Sequence, residues 1–137
     1  MKQLFVPIIL IISITSCNKN SIKKNQTTTV ENINFKKTID SIKSTNIYEN
    51  PKNWEARGLM PSSEPIIIKL RKATDEFLTK LEKIQSSTES YDHKLDQIGK
   101  IVDELPWDEL DTEEKEFLAD TLAPAIKAAG FEPTTIF

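Results

Sequence analysis

Three stretches in the second half of the chain repeat apolar residues at alternating spacings of three and four. In the first, Ile67, Leu70, Thr74, Phe77, Leu81 and Ile84 form one seam, with Lys72, Glu76 and Lys80 on a wet face at i, i+4 spacing. Ser62-Ser63-Glu64-Pro65 supplies a serine cap, a first-turn acid and an early proline, so a helix is predicted over 64–85. Ser86-Ser87-Thr88 then makes a turn and caps the next element. In the second stretch, Tyr91, Leu95, Ile98, Val102 and Leu105 predict a helix over 90–105, stopped by Pro106. Gly99 weakens this helix and is read as a point of close packing. The third runs over 112–129, with Phe117, Leu118, Thr121, Leu122, Ala125, Ile126 and Ala129 on its apolar face. Asp111 and Glu114 have capping-box spacing, Pro124 predicts a kink or break, and Gly130 followed by Phe131 predicts a left-handed stop. No alternating strand pattern and no repeat is present. The expected fold is all-α, a small bundle of three main helices in a domain at 62–137, the first two forming an antiparallel hairpin.

The first half is patterned differently. Residues 18–30 are Asn, Lys, Ser, Thr and Gln with almost nothing apolar, too little to offset ordering entropy. A flexible tether over 17–45 is therefore expected, with a possible short helix near 33–44, where Phe35, Ile39 and Ile42 fall at i, i+4 and i+7. Residues 46–61 hold Asn50-Pro51, Gly58 and Pro61, so an irregular segment is expected. Tyr48, Trp54, Leu59 and Met60 within it predict an ordered flap laid across the helices.

The N-terminus reads as an export signal. Lys2 lies before an apolar run at 4–12, and small polar residues follow at Ser13, Thr15 and Ser16. The run is shorter than the roughly 20 residues that a membrane-spanning helix needs. Ile14-Thr15-Ser16-Cys17 resembles the lipobox of bacterial lipoproteins, with Thr15 where Ala or Ser is commoner. The resemblance implies cleavage after residue 16 and lipid on Cys17, the only cysteine, which becomes the membrane anchor. It also implies that Asn18 is not an inner-membrane retention signal. The expected location is the periplasmic face of an outer membrane, with a cell-surface position as the alternative. Two or three acyl chains hold firmly, since each buried methylene contributes ~0.8 kcal/mol. The seven Lys and three acids of residues 18–52 form either a solvated linker or a stretch that lies on anionic headgroups.

Chemistry is sparse. The one histidine, His93, stands between Asp92 and Lys94 on a helix, and no Ser-centred nucleophile motif is present. No catalytic residues are therefore expected. Zinc spacing is missing, and Asp108, Asp111 and Glu113 lack the glycine and spacing of a calcium loop, so no metal and no cofactor are expected. The net charge of −3 and the exported location argue against nucleic acid.

One compositional feature stands out. Asp103, Glu104, Asp108, Glu109, Asp111, Glu113, Glu114, Glu116 and Asp120 are interrupted by a single base, Lys115. Acids at Glu113, Glu114 and Glu116 suit a helix N-terminus; Asp103 and Glu104, at a helix C-terminus, do not. Either this is a solvated surface or it is a docking patch for a basic protein, with Trp107, Asp108, Asp111, Glu113 and Glu114 as the binding residues and Trp107 as anchor. The segment 110–116, with its following apolar helix and Gly130, also resembles small helical bacterial domains of unassigned function. Some of these are lipoproteins, and some domains of this size and style are immunity proteins against secreted toxins. The expected function is a non-catalytic binding module in the envelope, with an immunity-type inhibitor as its most concrete form. An accessory structural or assembly subunit is the alternative, and a small enzyme with an unfamiliar site a third.

Overall fold

A computed structural model describes the backbone of residues 19–137 and the side chains of residues 32–137. The export signal and Cys17 lie outside the described residues. Five α-helices follow one another: α1 (Lys19–Ser44), α2 (Pro51–Glu55), α3 (Glu64–Ser86), α4 (Tyr91–Asp103) and α5 (Thr112–Ala128). Short 3-10 turns occupy Trp107–Glu109 and Pro133–Thr135, and no strand occurs among the described residues. The fold is all-α. Helices α3, α4 and α5 are the three main helices that the apolar seams predict.

α5 sits at the centre, packed on α1 and on α3, while α4 returns along α3. One continuous apolar cluster runs through all of them. It includes Phe35, Ile39 and Ile42 of α1 and Tyr48 and Trp54 from the segment expected to lie across the bundle. Tyr48 and Trp54 are among the largest fully buried side chains, so Trp54 belongs to the core. The Trp54 indole nitrogen donates to the Tyr48 carbonyl at 2.8 Å, and the Tyr48 hydroxyl pairs with the Thr74 hydroxyl at 2.8 Å. Both rings meet the Phe117 ring edge-on, at 5.1 and 4.8 Å between centroids. Burial pushes the Tyr48 phenol above its ordinary pKa.

Several local expectations change. α1 reaches back to Lys19, because the expected tether contains neither proline nor glycine to stop a helix spreading outward from the packed turns at Phe35–Ile42. The segment 46–61 is not irregular throughout. Asn50 caps α2 by accepting from the Lys52 amide, and Pro51 occupies the first turn, where its missing N–H is harmless. Gly58, at φ +74°, closes that turn in the left-handed region. At α3, Ser63 is the cap position but makes no side-chain cap bond, and the Ser62 hydroxyl turns to Glu114 instead. α4 is capped by Ser90, which accepts from the His93 amide. Gly99 is not a tight-packing point, since a methyl added there would meet nothing within 4 Å.

Pro124 lies inside an unbroken α5. Its ring and Asp120 are both exposed, so the Asp120 carbonyl that loses its helical partner lies on the water side. The helix ends as expected: Gly130 takes φ +90°, its amide donates to Lys127, and the Phe131 amide donates to Ile126. This is the paired C-terminal stop in which the apolar residue folds back, and Phe131 is buried.

Arg71 of α3 ties down the end of α1. Its guanidinium forks onto the Glu49 carboxylate at 2.9 and 2.7 Å and also donates to the Thr45 carbonyl at 2.7 Å. The Arg71 hydrogen bonds hold the Glu49 carboxyl below its ordinary pKa.

Candidate functional site

The acidic run wraps one end of the bundle, through the last turn of α4, the Trp107–Glu109 turn and the first turns of α5. Its members have different fates. Glu104 pairs with Lys80, Glu109 pairs with Lys69, and Asp120 meets Arg57 at 2.8 Å. Glu104 thus recovers from α3 the stabilisation that its place at a helix C-terminus denies it. Asp103, Asp108, Asp111, Glu113 and Glu116 form no ion pair among the described residues, and all five are exposed. Three of the nine acids are thus ion-paired among the described residues, and six, with the buried Glu114 among them, are not.

Among the sequence-predicted binding residues, Glu114 is the buried one. It is 7 % exposed, and its carboxylate accepts from the Asp111 amide at 2.9 Å and the Ser62 hydroxyl at 2.6 Å. That carboxylate is engaged within the fold, joining the start of α5 to the segment before α3. Asp111 is exposed but also structural, since it accepts from the Glu114 amide at 2.8 Å to complete the capping box. Asp108 and Glu113 stand free on the surface.

Trp107 is half-buried. Its indole nitrogen donates to the Val102 carbonyl at 2.8 Å, which fixes the ring, and the Phe137 ring meets it edge-on at 6.3 Å. A shallow open hollow of about 390 Å³ lies beside the pair, edged by Asp103, Glu116 and Lys115 and floored by Val102, Ala119 and Ile136. Asp108, Asp111 and Glu113 do not line this hollow. The site is thus an aromatic pair with two flanking acids, beside an exposed acidic ridge. Carboxylates next to exposed aromatic faces suit the head of a Lys or Arg side chain, which takes charge from one and stacking from the other.

Phe137, Asp103 and Glu116 lie outside the set of binding residues that the sequence predicts. Phe137 lies thirty positions from Trp107 and no local spacing connects the two.

A second concavity, about 400 Å³, runs between α3 and the α4 end. Ala73, Phe77, Ile101 and Leu105 floor it, and the Lys69–Glu109 and Lys80–Glu104 pairs edge it. The carboxyls with depressed pKa lie elsewhere: Glu49 is held down by Arg71 and Asp96 by Lys100. Neither belongs to a converging acid pair in a cavity. His93 is exposed, 3.5 Å from the Glu89 carboxylate. Among the described residues no group of three or more His, Cys, Asp or Glu side chains is placed to hold a metal, and no helix is long and apolar enough to cross a membrane. No protein-family model, curated protein or solved structure matches the chain.

Proposed function

We propose that this chain is a bacterial lipoprotein, anchored through lipid on Cys17, whose helical part is a non-catalytic module that binds a basic protein in the cell envelope. The periplasmic face of an outer membrane is the compartment that the Ile14–Cys17 segment and Asn18 favour. An inhibitor of immunity type, blocking a toxin in the compartment where the toxin acts, is the concrete form of the reading.

The observation that carries it is the arrangement at the α4–α5 end. Asp103 and Glu116 flank a fixed Trp107 and its neighbour Phe137, and the exposed Asp108, Asp111 and Glu113 lie nearby in the chain; none of the five has an ion-pair partner among the described residues. Asp111 also caps α5, but the mutual repulsion of unpaired like charges is a cost to folding, whereas those charges raise the rate and selectivity of encounter with a basic surface. An aromatic side chain held rigid by its own hydrogen bond loses little freedom on binding.

The test uses the unacylated chain from residue 17 onward, with Cys17→Ser, as bait against secreted and envelope fractions. One stoichiometric basic protein is expected, bound more weakly as salt rises. Asp103→Lys with Glu116→Lys should slow its association by tenfold or more. The pair Asp92→Lys and Glu132→Lys carries the same charge change at other exposed positions and should leave association nearly unaltered. If both pairs act alike, the acidic end is not the docking surface. Asp111 and Glu114 are left alone because changing them disturbs the helix start.

A further inference from the structure

Charge is divided unevenly along the chain. Residues 18–52 carry seven Lys against three acids, whereas residues 53–137 carry ten Lys and Arg against eighteen acids. The basic portion is almost entirely α1. Phe35, Ile39 and Ile42 turn one face of α1 into the core. At 100° per residue, Ile33, Lys37 and Asp40 lie on the opposite face and Lys36 lies at its edge, and the four line a shallow surface depression there. Ile33 is 61 % exposed, a branched aliphatic group set among ammonium groups on the water side. Lys36 is 3.8 Å from Asp40, while Lys37 has no ion pair among the described residues. Among the described residues, Ile33, Lys36 and Lys37 are all exposed, and no core contact of α1 requires an apolar residue at 33 or adjacent cations at 36 and 37.

We propose that this outward face of α1, centred on Ile33, Lys36 and Lys37, is a contact surface for an anionic phospholipid bilayer. Headgroup phosphates neutralise the ammonium groups, and Ile33 enters the apolar boundary beneath them. The remainder of the molecule, with its excess of acids, is repelled by the same surface. The contact therefore gives the tethered protein a preferred orientation, with the acidic α4–α5 end turned away from lipid. The inference rests on the proposed membrane location and is independent of the basic partner.

The experiment is co-sedimentation of residues 17–137, carrying Cys17→Ser and therefore no lipid, with phosphatidylcholine vesicles with and without phosphatidylglycerol. Using the unacylated chain separates failure of this contact from failure of lipid attachment, which is read by mass on the native chain. Binding is expected only with phosphatidylglycerol and should fall as salt rises. Lys36→Glu with Lys37→Glu should lower the partition coefficient by about tenfold or more. Lys72→Glu with Lys100→Glu changes net charge equally at exposed sites on α3 and α4 and should leave it near the parent value. Ile33→Ser should weaken the part of the binding that survives high salt. Circular dichroism confirms that each variant stays helical. Absence of binding to phosphatidylglycerol vesicles overturns the proposal, and so does an equal loss from the two double variants, which would make the effect one of net charge alone.

Discussion

Glu114→Ala removes a carboxylate that is nearly buried and accepts two hydrogen bonds, from the Asp111 amide and the Ser62 hydroxyl. A hydrogen bond to a charged acceptor contributes ~1.5–3 kcal/mol, and a helix cap about 1 kcal/mol. The two contributions overlap at Asp111, and the substitution also relieves the desolvation of a buried charge. The expected net loss is therefore about 2–3 kcal/mol, below the sum of two separate bonds. Glu114→Gln keeps one acceptor oxygen and should lose about 1 kcal/mol, as should Ser62→Ala, which removes a single bond. Urea unfolding followed by Trp fluorescence reads all three, with the midpoint moving and the slope unchanged. In thermal unfolding Glu114→Ala should fall by about 10–20 °C in a domain of this size. The reasoning is refuted if Glu114→Ala lies within ~0.5 kcal/mol of the parent, or if Ser62→Ala is the more damaging change. The same variants separate fold from function: Glu114→Gln should leave partner affinity intact, because its side chain does not reach the surface.

Gly99→Ala should stabilise by about 0.5–1 kcal/mol, since the added methyl meets open space and the helix gains rigidity; chemical denaturation checks this. Pro124→Ala should also stabilise, by about 1–2 kcal/mol, by restoring the amide that the Asp120 carbonyl lacks; a calorimetric scan of the two proteins decides it. Glu49 has a folded pKa held below its unfolded value by Arg71, so its contribution is present above the ordinary carboxylate range and is lost as pH falls through the folded value. Glu49→Gln should accordingly flatten the acid limb of stability below about pH 4.5 while leaving the limb near neutrality parallel to the parent.

The seams of α3, α4 and α5 were legible because each buries one face, and burial on one face of a helix prints a 3.6-residue period. The stop at Gly130–Phe131 and the Asp111–Glu114 box were equally legible, both being made within a few residues. α2 was missed because Asn50-Pro51 reads as a breaker, although Asn in the cap position followed by Pro in the first turn also starts a helix. What lies far apart in the chain left no trace in spacing. Ser62 meets Glu114 across 52 positions, and Lys69 meets Glu109 across 40. Those two contacts decide that Glu114 is structural and that Glu109 is neutralised. The acidic run was therefore visible as composition, while its division into paired, buried and free members was not. Trp107 was visible as an aromatic amid acids; its alignment with Phe137 came only from the fold.

Whether the protein is tethered through Cys17 is read from the mass of its N-terminal peptide after extraction from membranes of the native host. The expected chain begins at Cys17 and carries acyl groups on that residue. A mature chain that begins elsewhere, or a Cys17 with a free thiol in a protein recovered without detergent, would rule out the tether.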